Sequence, residues 1–187
     1  MKQLYSSHSK ERSNCDIKNL FILILLLVIV YFINTHIVRL AIVSGTSMYP
    51  TFMDKDILVI NQMNYTPSGG DVVLIDVSRK PIHGKYIVKR IIAIEGDTVT
   101  LDYEKNSVYV NGLRVTEPYL NFDQGDPMIA FDAIGTITYQ VPAGTVFILG
   151  DNRNNSIDSR SNMLGMIKKS DIIGKVFLRL SLQQYFS

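Results

Sequence analysis

The 187-residue sequence has one cysteine, three histidines and no dense basic run. A single Cys, Cys15, excludes a disulfide within the chain. It precedes a long apolar run, where acylation has a place but an ordinary reduced thiol fits better. The formal net charge of +2 comes without any predicted face of Lys and Arg interleaved with aromatics, so a nucleic-acid partner is not expected. No internal repeat or low-complexity tract is present. The Asp- and Asn-rich stretch at 150–160 lacks the spaced ligands and terminal Glu of an EF-hand, and no metal site is expected. His8 lies in the amino-terminal tail, His36 at the end of the apolar run and His83 in the loop from Pro81 to Gly84. None is well placed as the base of a serine-histidine pair.

What is present begins with that apolar run. From Leu20 to Ile33 no polar residue interrupts, and the run as a whole, Leu20 to Val38, is long enough to cross a bilayer. The strictly apolar part has the length of a signal-peptide core, so a cleaved signal and a buried core helix are the competing readings. A core helix would need elements to cover all its faces, and the preceding residues offer none. The nearest small-residue cleavage pattern, Val43 with Gly45, would destroy the segment described next. A retained anchor is the expectation. Lys2, Lys10, Arg12 and Lys18 precede the run and only Arg39 follows closely, which puts the amino terminus in the cytoplasm. The expected domains are a cytoplasmic tail at 1–19, a transmembrane anchor at 20–38 and an extracytoplasmic β domain at 39–187.

Beyond the anchor the chain reads as short strands. Asp56 to Asn61 and Val72 to Val77 are β-like runs joined by a loop with Ser68-Gly69-Gly70-Asp71. Tyr86 to Ile94 is the most β-prone run and ends at Glu95-Gly96-Asp97. Period two puts Ile87, Lys89, Ile91 and Ala93 on one face and Tyr86, Val88, Arg90, Ile92 and Ile94 on the other. Thr98 to Asp102 and Ser107 to Val110 alternate, and Asn111-Gly112 suits a type I′ hairpin before Leu113 to Thr116. Asn121 to Ala133 reads as a surface loop. Thr136 to Val141, Val146 to Leu149 and Ile172 to Leu180 complete a mostly β domain of barrel-like antiparallel sheets.

The first folded-looking stretch is Ser44 to Thr51, SGTSMYPT. Gly45 and Pro50 make it a poor helix and a poor strand, and a turn would hold Ser47 outward. A serine hydroxyl needs an adjacent base to act as a nucleophile. Tyr49 stands where a nucleophile elbow requires a second Gly. Lys89 is the other candidate, because an amine among aliphatic side chains loses hydration and only its neutral form can take a proton. Bringing it from about 10.4 to near 7 takes roughly 4 kcal/mol of differential desolvation, which a buried site can supply. The alternative is a strand-edge lysine whose amine reaches water.

SGTSMYPT at 44–51, KYIVKRIIAIEGD at 85–97 and GDNRNNSIDSR at 150–160 resemble, in order, the boxes of bacterial type I signal peptidases, membrane-anchored Ser-Lys proteases. The resemblance extends to Gly70-Asp71-Val72-Val73, to Val108-Tyr109-Val110-Asn111-Gly112 with Glu117-Pro118-Tyr119, and to Ile173-Gly174-Lys175. It implies that Ser47 is the nucleophile and Lys89 the general base, and that Ser156 hydrogen-bonds and orients the lysine. Asp158 and Arg160 are implied to form a structural ion pair, with Asp151 and Arg153 sharing the task. Arg90 and Asp97 fall to the scaffold, and Met48 and Pro50 shape the nucleophile turn. Val43, Met48, Phe52, Ile87 and Val88 are implied to line the substrate pockets.

Two positions depart from the pattern. Gly45 stands where some family members have a serine that helps hold the oxyanion, so the Ser47 N–H should carry more of that task, with Thr46 or Ser44 as open contributors. Glu95 stands where proline is frequent, which implies a less rigid turn. The resemblance implies cleavage of secretory preproteins after small residues of Ala-x-Ala type at the bilayer surface, through an acyl-enzyme and without cofactor or metal. A related Ser-Lys protease acting on itself or on one dedicated partner is a rival reading. So is a noncatalytic β module binding membrane or partner through an apolar rim that includes Phe52 and Met53.

Overall fold

The computed structural model describes residues 17–32, 37–120, 128 and 135–181. The expected tail through residue 16 with Cys15 and His8, the end of the apolar run with His36, and nearly all of the 121–133 loop lie outside the described residues. A helix, α1, spans 17–32 with every side chain exposed. At 1.5 Å per residue it is about 24 Å long, against about 30 Å of bilayer hydrocarbon. Among the described residues no helix is long and apolar enough to cross a membrane.

Strands β1 (Val38–Ile42), β2 (Ile57–Asn61), β3 (Val72–Asp76), β4 (Tyr86–Ile94) and β5 (Thr98–Asp102) come first. They are followed by β6 (Ser107–Val110), β7 (Leu113–Arg114), β8 (Thr136–Gln140), β9 (Thr145–Leu149), β10 (Ile167–Lys168) and β11 (Ile172–Leu180). A seven-stranded sheet has the order β1-β2-β11-β3-β4-β9-β10 and a four-stranded sheet the order β7-β6-β5-β8. Every pairing is antiparallel. The larger sheet curls into a half-barrel: Arg39 on β1 stacks 4.3 Å from the ring centroid of Tyr86 on β4, although three strands separate them in the sheet.

The curl follows from where the apolar side chains go. Val72 and Leu74 of β3 join a core with Leu58, Ile60, Val43, Met48 and Phe52 inside the curl. Val73 and Ile75 join Ile91, Ile148, Leu164 and Ile167 on the other face. A strand buried on both faces reads as an unbroken apolar run, which is why VVLI shows no alternation. The third cluster packs Val99, Leu101 and Val108 of the smaller sheet against Ile92, Ala93, Phe147 and Leu149, joining the two sheets.

The loop after β2 leads to β3 as expected, and in the sheet β11 lies between those strands, pairing with β3 through its first half and β2 through its second. Two expectations need correction. Val38 belongs to β1 and not to a helix, so the strand begins inside the expected anchor. Strict alternation fails at the end of β4: a register shift between Ile91 and Ala93 sends Ile92 and Ala93 to one core and returns Ile94 to the other. The Asn111-Gly112 hairpin has positive φ at both residues, 52° and 79°, as a type I′ turn requires.

Candidate active site

Ser47 rides on the turn between β1 and β2. Gly45 enters it at φ 91°, a conformation a residue with a Cβ rarely adopts, and its N–H donates to Asp54 Oδ1 at 2.8 Å. A serine at position 45 would therefore need a different backbone, so this departure from the family pattern is more than a missing hydroxyl. Tyr49 N–H donates to Thr46 O at 3.0 Å and Phe52 N–H to Met48 O at 2.9 Å, while Met48 is anchored in the core. These contacts hold the turn from below.

From the other side the 150–160 segment grips it. Asn152 N–H donates to Ser47 O at 3.0 Å, Asn152 Nδ2 to Thr46 O at 3.1 Å and Asn155 Nδ2 to Thr46 Oγ1 at 2.7 Å. Asn152 and Asn155 were not singled out from the sequence. Their signal lay in GDNRNN, where paired asparagines offer donors that turn carbonyls need. Gly150 is the point of closest approach: a Cβ there would lie 2.6 Å from Ser47 O and 2.2 Å from Ser156 Oγ.

Lys89 comes up from β4 beneath this turn. Its residue is 3% exposed, and Nζ donates to Ser47 Oγ at 2.6 Å and to Val88 O at 3.1 Å. Burial is the main reason its pKa falls to about 8; the carboxylates of Asp158 and Asp151 oppose that fall, and the Arg160 guanidinium assists it. His83 lines the neighbouring cleft, but the described partner of the Ser47 hydroxyl is Lys89.

The charges around the site pair differently from expectation in part. Asp158 and Arg160 do form a buried pair, Nε to Oδ1 at 2.8 Å and Nη2 to Oδ2 at 2.9 Å, and Asp158 Oδ2 also accepts the Gly150 N–H at 3.0 Å. Asp151 pairs not with Arg153 but with Arg90, which reaches it through Nε at 2.9 Å and Nη2 at 2.6 Å and stacks on Tyr119. Thr51 Oγ1 donates to the same carboxylate, tying the serine turn to the pair. Arg153 pairs instead with Glu117 and donates to Gly150 O at 3.1 Å. Asp97 caps its own turn, accepting from Ile94 N–H at 2.9 Å and Asn111 Nδ2 at 2.7 Å, as a scaffold residue should. Ser156 is buried beside the turn, but its hydroxyl has no hydrogen-bond partner among the described residues, so the expected bond to Lys89 is absent. Glu95 ties its turn to the segment around β9 and β10, accepting from Gly144 N–H at 2.6 Å and pairing with Lys169 at 2.8 Å.

A cleft of about 570 Å³ opens at the dyad between β1 and the first half of β4. Val43, Met48, Ile87 and Val88 line it, together with Ala41 and Leu74. Phe52 does not: it is 6% exposed and packs in the core beneath Val43 and Met48. β9 pairs with β4 only from Arg90 to Ile94, so among the described residues the outer edge of Tyr86–Lys89 carries no strand, and β1 is one of the two edge strands of the sheet.

The family described as signal peptidase, peptidase S26, matches residues 17–181. The chain belongs to this family. It is 33% identical over 179 residues to signal peptidase I P of Bacillus subtilis subsp. natto, covering 91% of each chain. It is 38% identical over 138 residues to signal peptidase I T of Bacillus subtilis strain 168, covering 71% of this chain and 68% of the relative. Signal peptidase IB of Staphylococcus aureus strain Mu50 is 33% identical over 165 residues, 81% of this chain and 82% of that one. A crystal structure of a signal peptidase I from Enterococcus faecalis V583 aligns with TM-score 0.47 at 27% identity, over 60% of this chain and 98% of that one. Membership of the signal peptidase family makes the chain a serine endopeptidase.

Proposed function

We propose that Ser47 is the nucleophile and Lys89 the general base with which this signal peptidase removes N-terminal signal peptides from preproteins. The carrying observation is the 2.6 Å contact between Ser47 Oγ and the buried Lys89 amine. Neutral Lys89 takes the serine proton as Oγ attacks the scissile carbonyl, and returns it to the leaving amine as the carbon–nitrogen bond breaks. Water, deprotonated by the same amine, then adds to the acyl carbon of the Ser47 ester, and the carbon–Oγ bond breaks to free the signal-peptide carboxylate as Lys89 returns the proton to Oγ. The Ser47 N–H, which donates to no acceptor among the described residues, is available for the oxyanion. The Thr46 hydroxyl accepts from Asn155 Nδ2 at 2.7 Å, which fixes its oxygen and leaves its O–H as a candidate second donor.

The cleavage region adds as an extended strand between the free edges of β1 and Tyr86–Lys89. Alternate side chains then enter the same wall, and the apolar, closely bounded space by Val43, Met48 and Val88 favours small residues at the first and third positions before the scissile bond. The apolar run from Leu20 is read as a single-pass anchor with a cytoplasmic amino terminus. Its support is the exposure of every side chain on α1 and the lysines and arginine that precede it in sequence. The test is cleavage of a preprotein with an Ala-x-Ala site by detergent-solubilised wild type, Ser47→Ala and Lys89→Met. Cleavage by wild type alone is expected; near-normal activity of Lys89→Met would remove the lysine from the mechanism and return His83 as the base.

A further inference from the structure

The cleft continues past the apolar pockets toward the helix end of β1, where its lining changes from aliphatic to cationic. Arg39 pairs in register with Ile60 and Ala41 with Leu58, both of them core residues inside the curl, so Arg39, Ala41 and Val43 share the inward face. Opposite them, Tyr86 and Val88 share the inward face of β4. The two walls are therefore matched in tiers, with Val43 and Met48 nearest the dyad, Ala41 and Val88 next, and Arg39 and Tyr86 last. At that last tier Arg39 lies 4.3 Å from the Tyr86 ring centroid, and Lys85 Nζ approaches the same ring at 5.1 Å. Asp76, opposite Tyr86 on β3, lies close enough to act electrostatically on Lys85. Arg39 has no carboxylate partner among the described residues and stands half-buried in the cleft wall.

This inference rests on the proposed function. A signal segment arriving from the side of α1 enters the cleft at Arg39 and reaches Ser47 last, so the substrate runs parallel to β1. Extended chain advances roughly 3.3 Å per residue with a side-chain period of two, so the first, third and fifth residues before the scissile bond face the same wall. The first two meet the aliphatic tiers. We infer that Arg39 and Tyr86 form a third subsite, receiving the side chain of the fifth residue before the scissile bond and favouring a carboxylate there over a cation. A half-buried guanidinium beside an aromatic face is less hydrated than one in open water, which strengthens both its attraction for an anion and its repulsion of a cation.

The test uses the full-length enzyme in neutral detergent and three peptides with one Ala-x-Ala site, differing only in Glu, Ala or Lys at the fifth position. The readout is the Glu-to-Lys ratio of kcat/KM within each enzyme, so a general loss of activity in a variant leaves it interpretable. Wild type should prefer Glu over Lys by about five- to tenfold at low salt, with the ratio falling toward one in 0.5 M NaCl as screening sets in. Arg39→Gln should abolish the preference, Arg39→Lys should keep most of it and Arg39→Glu should reverse it. A wild-type ratio of one, or a ratio unchanged in Arg39→Gln, would overturn the subsite while the alanine peptide, cut by wild type and not by Ser47→Ala, upholds the proposed function. If the alanine peptide and an intact preprotein both resist wild type, the proposed function and the subsite fall together.

Discussion

The α-carbon of Gly150 faces the carbonyl of Ser47 so closely that a methyl group on it would lie 2.6 Å from that oxygen. The serine turn and the 150–160 segment therefore meet at a point where only hydrogen fits. Ser156 closes the same space from the other side, its Oγ falling 2.2 Å from that methyl position.

Gly150→Ala should therefore displace the serine turn and cost activity far more than folding. A misplacement near 1 Å is enough for about a hundredfold loss of kcat/KM. Combining it with Ser156→Gly should recover only part of the loss, because the Ser47 carbonyl is backbone and cannot be trimmed. Steady-state cleavage of a preprotein peptide by the single and double variants, with thermal melts as the folding control, checks this.

The pH dependence follows from Lys89. The active form is the neutral amine, and the lysine pKa is held at about 8. kcat/KM should rise about tenfold per pH unit below that value and level off above it. Asp158 and Asp151 hold the value up, so Asp158→Asn should move the rising limb to lower pH. The same change leaves the buried Arg160 without its carboxylate and should destabilise the fold by about 3 to 5 kcal/mol. A pH–rate profile of both proteins, taken below the variant's melting temperature, decides it.

Lys89 should also limit stability. Its folded pKa of about 8 lies below the ordinary 10.5 of an unfolded lysine, so below pH 8 both states are protonated and the folded one bears the cost of a buried charge. Between about 8 and 10.5 the unfolded chain binds more protons, and wild-type stability should climb through that window. Lys89→Met removes the cost and should stabilise the protein by roughly 1 to 3 kcal/mol at pH 7, with the gap shrinking toward pH 10.5. Denaturant midpoints at pH 7 and 10 measure it. A lower midpoint for Lys89→Met at pH 7 would contradict the buried-amine account.

Phe52 distinguishes core from pocket. It packs under Val43 and Met48 without reaching the cleft, so Phe52→Ala should cost about 3 to 5 kcal/mol of stability. Val88→Ala, by contrast, changes a lining residue and should relax the demand for small residues at the cleavage site. Melting curves and peptide profiling of the two variants should separate these effects. A Phe52→Ala protein with widened cleavage preference and unchanged stability would return Phe52 to the pocket wall.

Strands β2 to β6 were legible because their signals are local. The run of β4 spans Tyr86–Ile94 as the apolar pattern suggested, and Asn111-Gly112 announces its hairpin. β1 was hidden because Val38 continues an apolar run, and hydrophobicity alone does not say where a helix-forming run gives way to a strand. The bulge at Ile92 was hidden for a related reason: one extra residue inverts the faces of those after it while every residue remains apolar.

The sequence by itself determined the family, the order of the three boxes and the identity of Ser47 and Lys89 as candidates, because ordered motifs and residue chemistry survive in one dimension. Only tertiary structure decided which charges pair. Arg90 and Asp151 are separated by 61 positions, and Arg153 lies nearer to Asp151 in sequence yet pairs with Glu117. Electrostatic partners depend on distance in space: pairing of β9 with β4 sets Leu149 opposite Arg90 and so brings Asp151 to it. The curl of the sheet brings β1 across to β4 and sets Arg39 on Tyr86, and the serine turn meets Lys89, whose lowered pKa is a property of its burial and not of its neighbours in the chain.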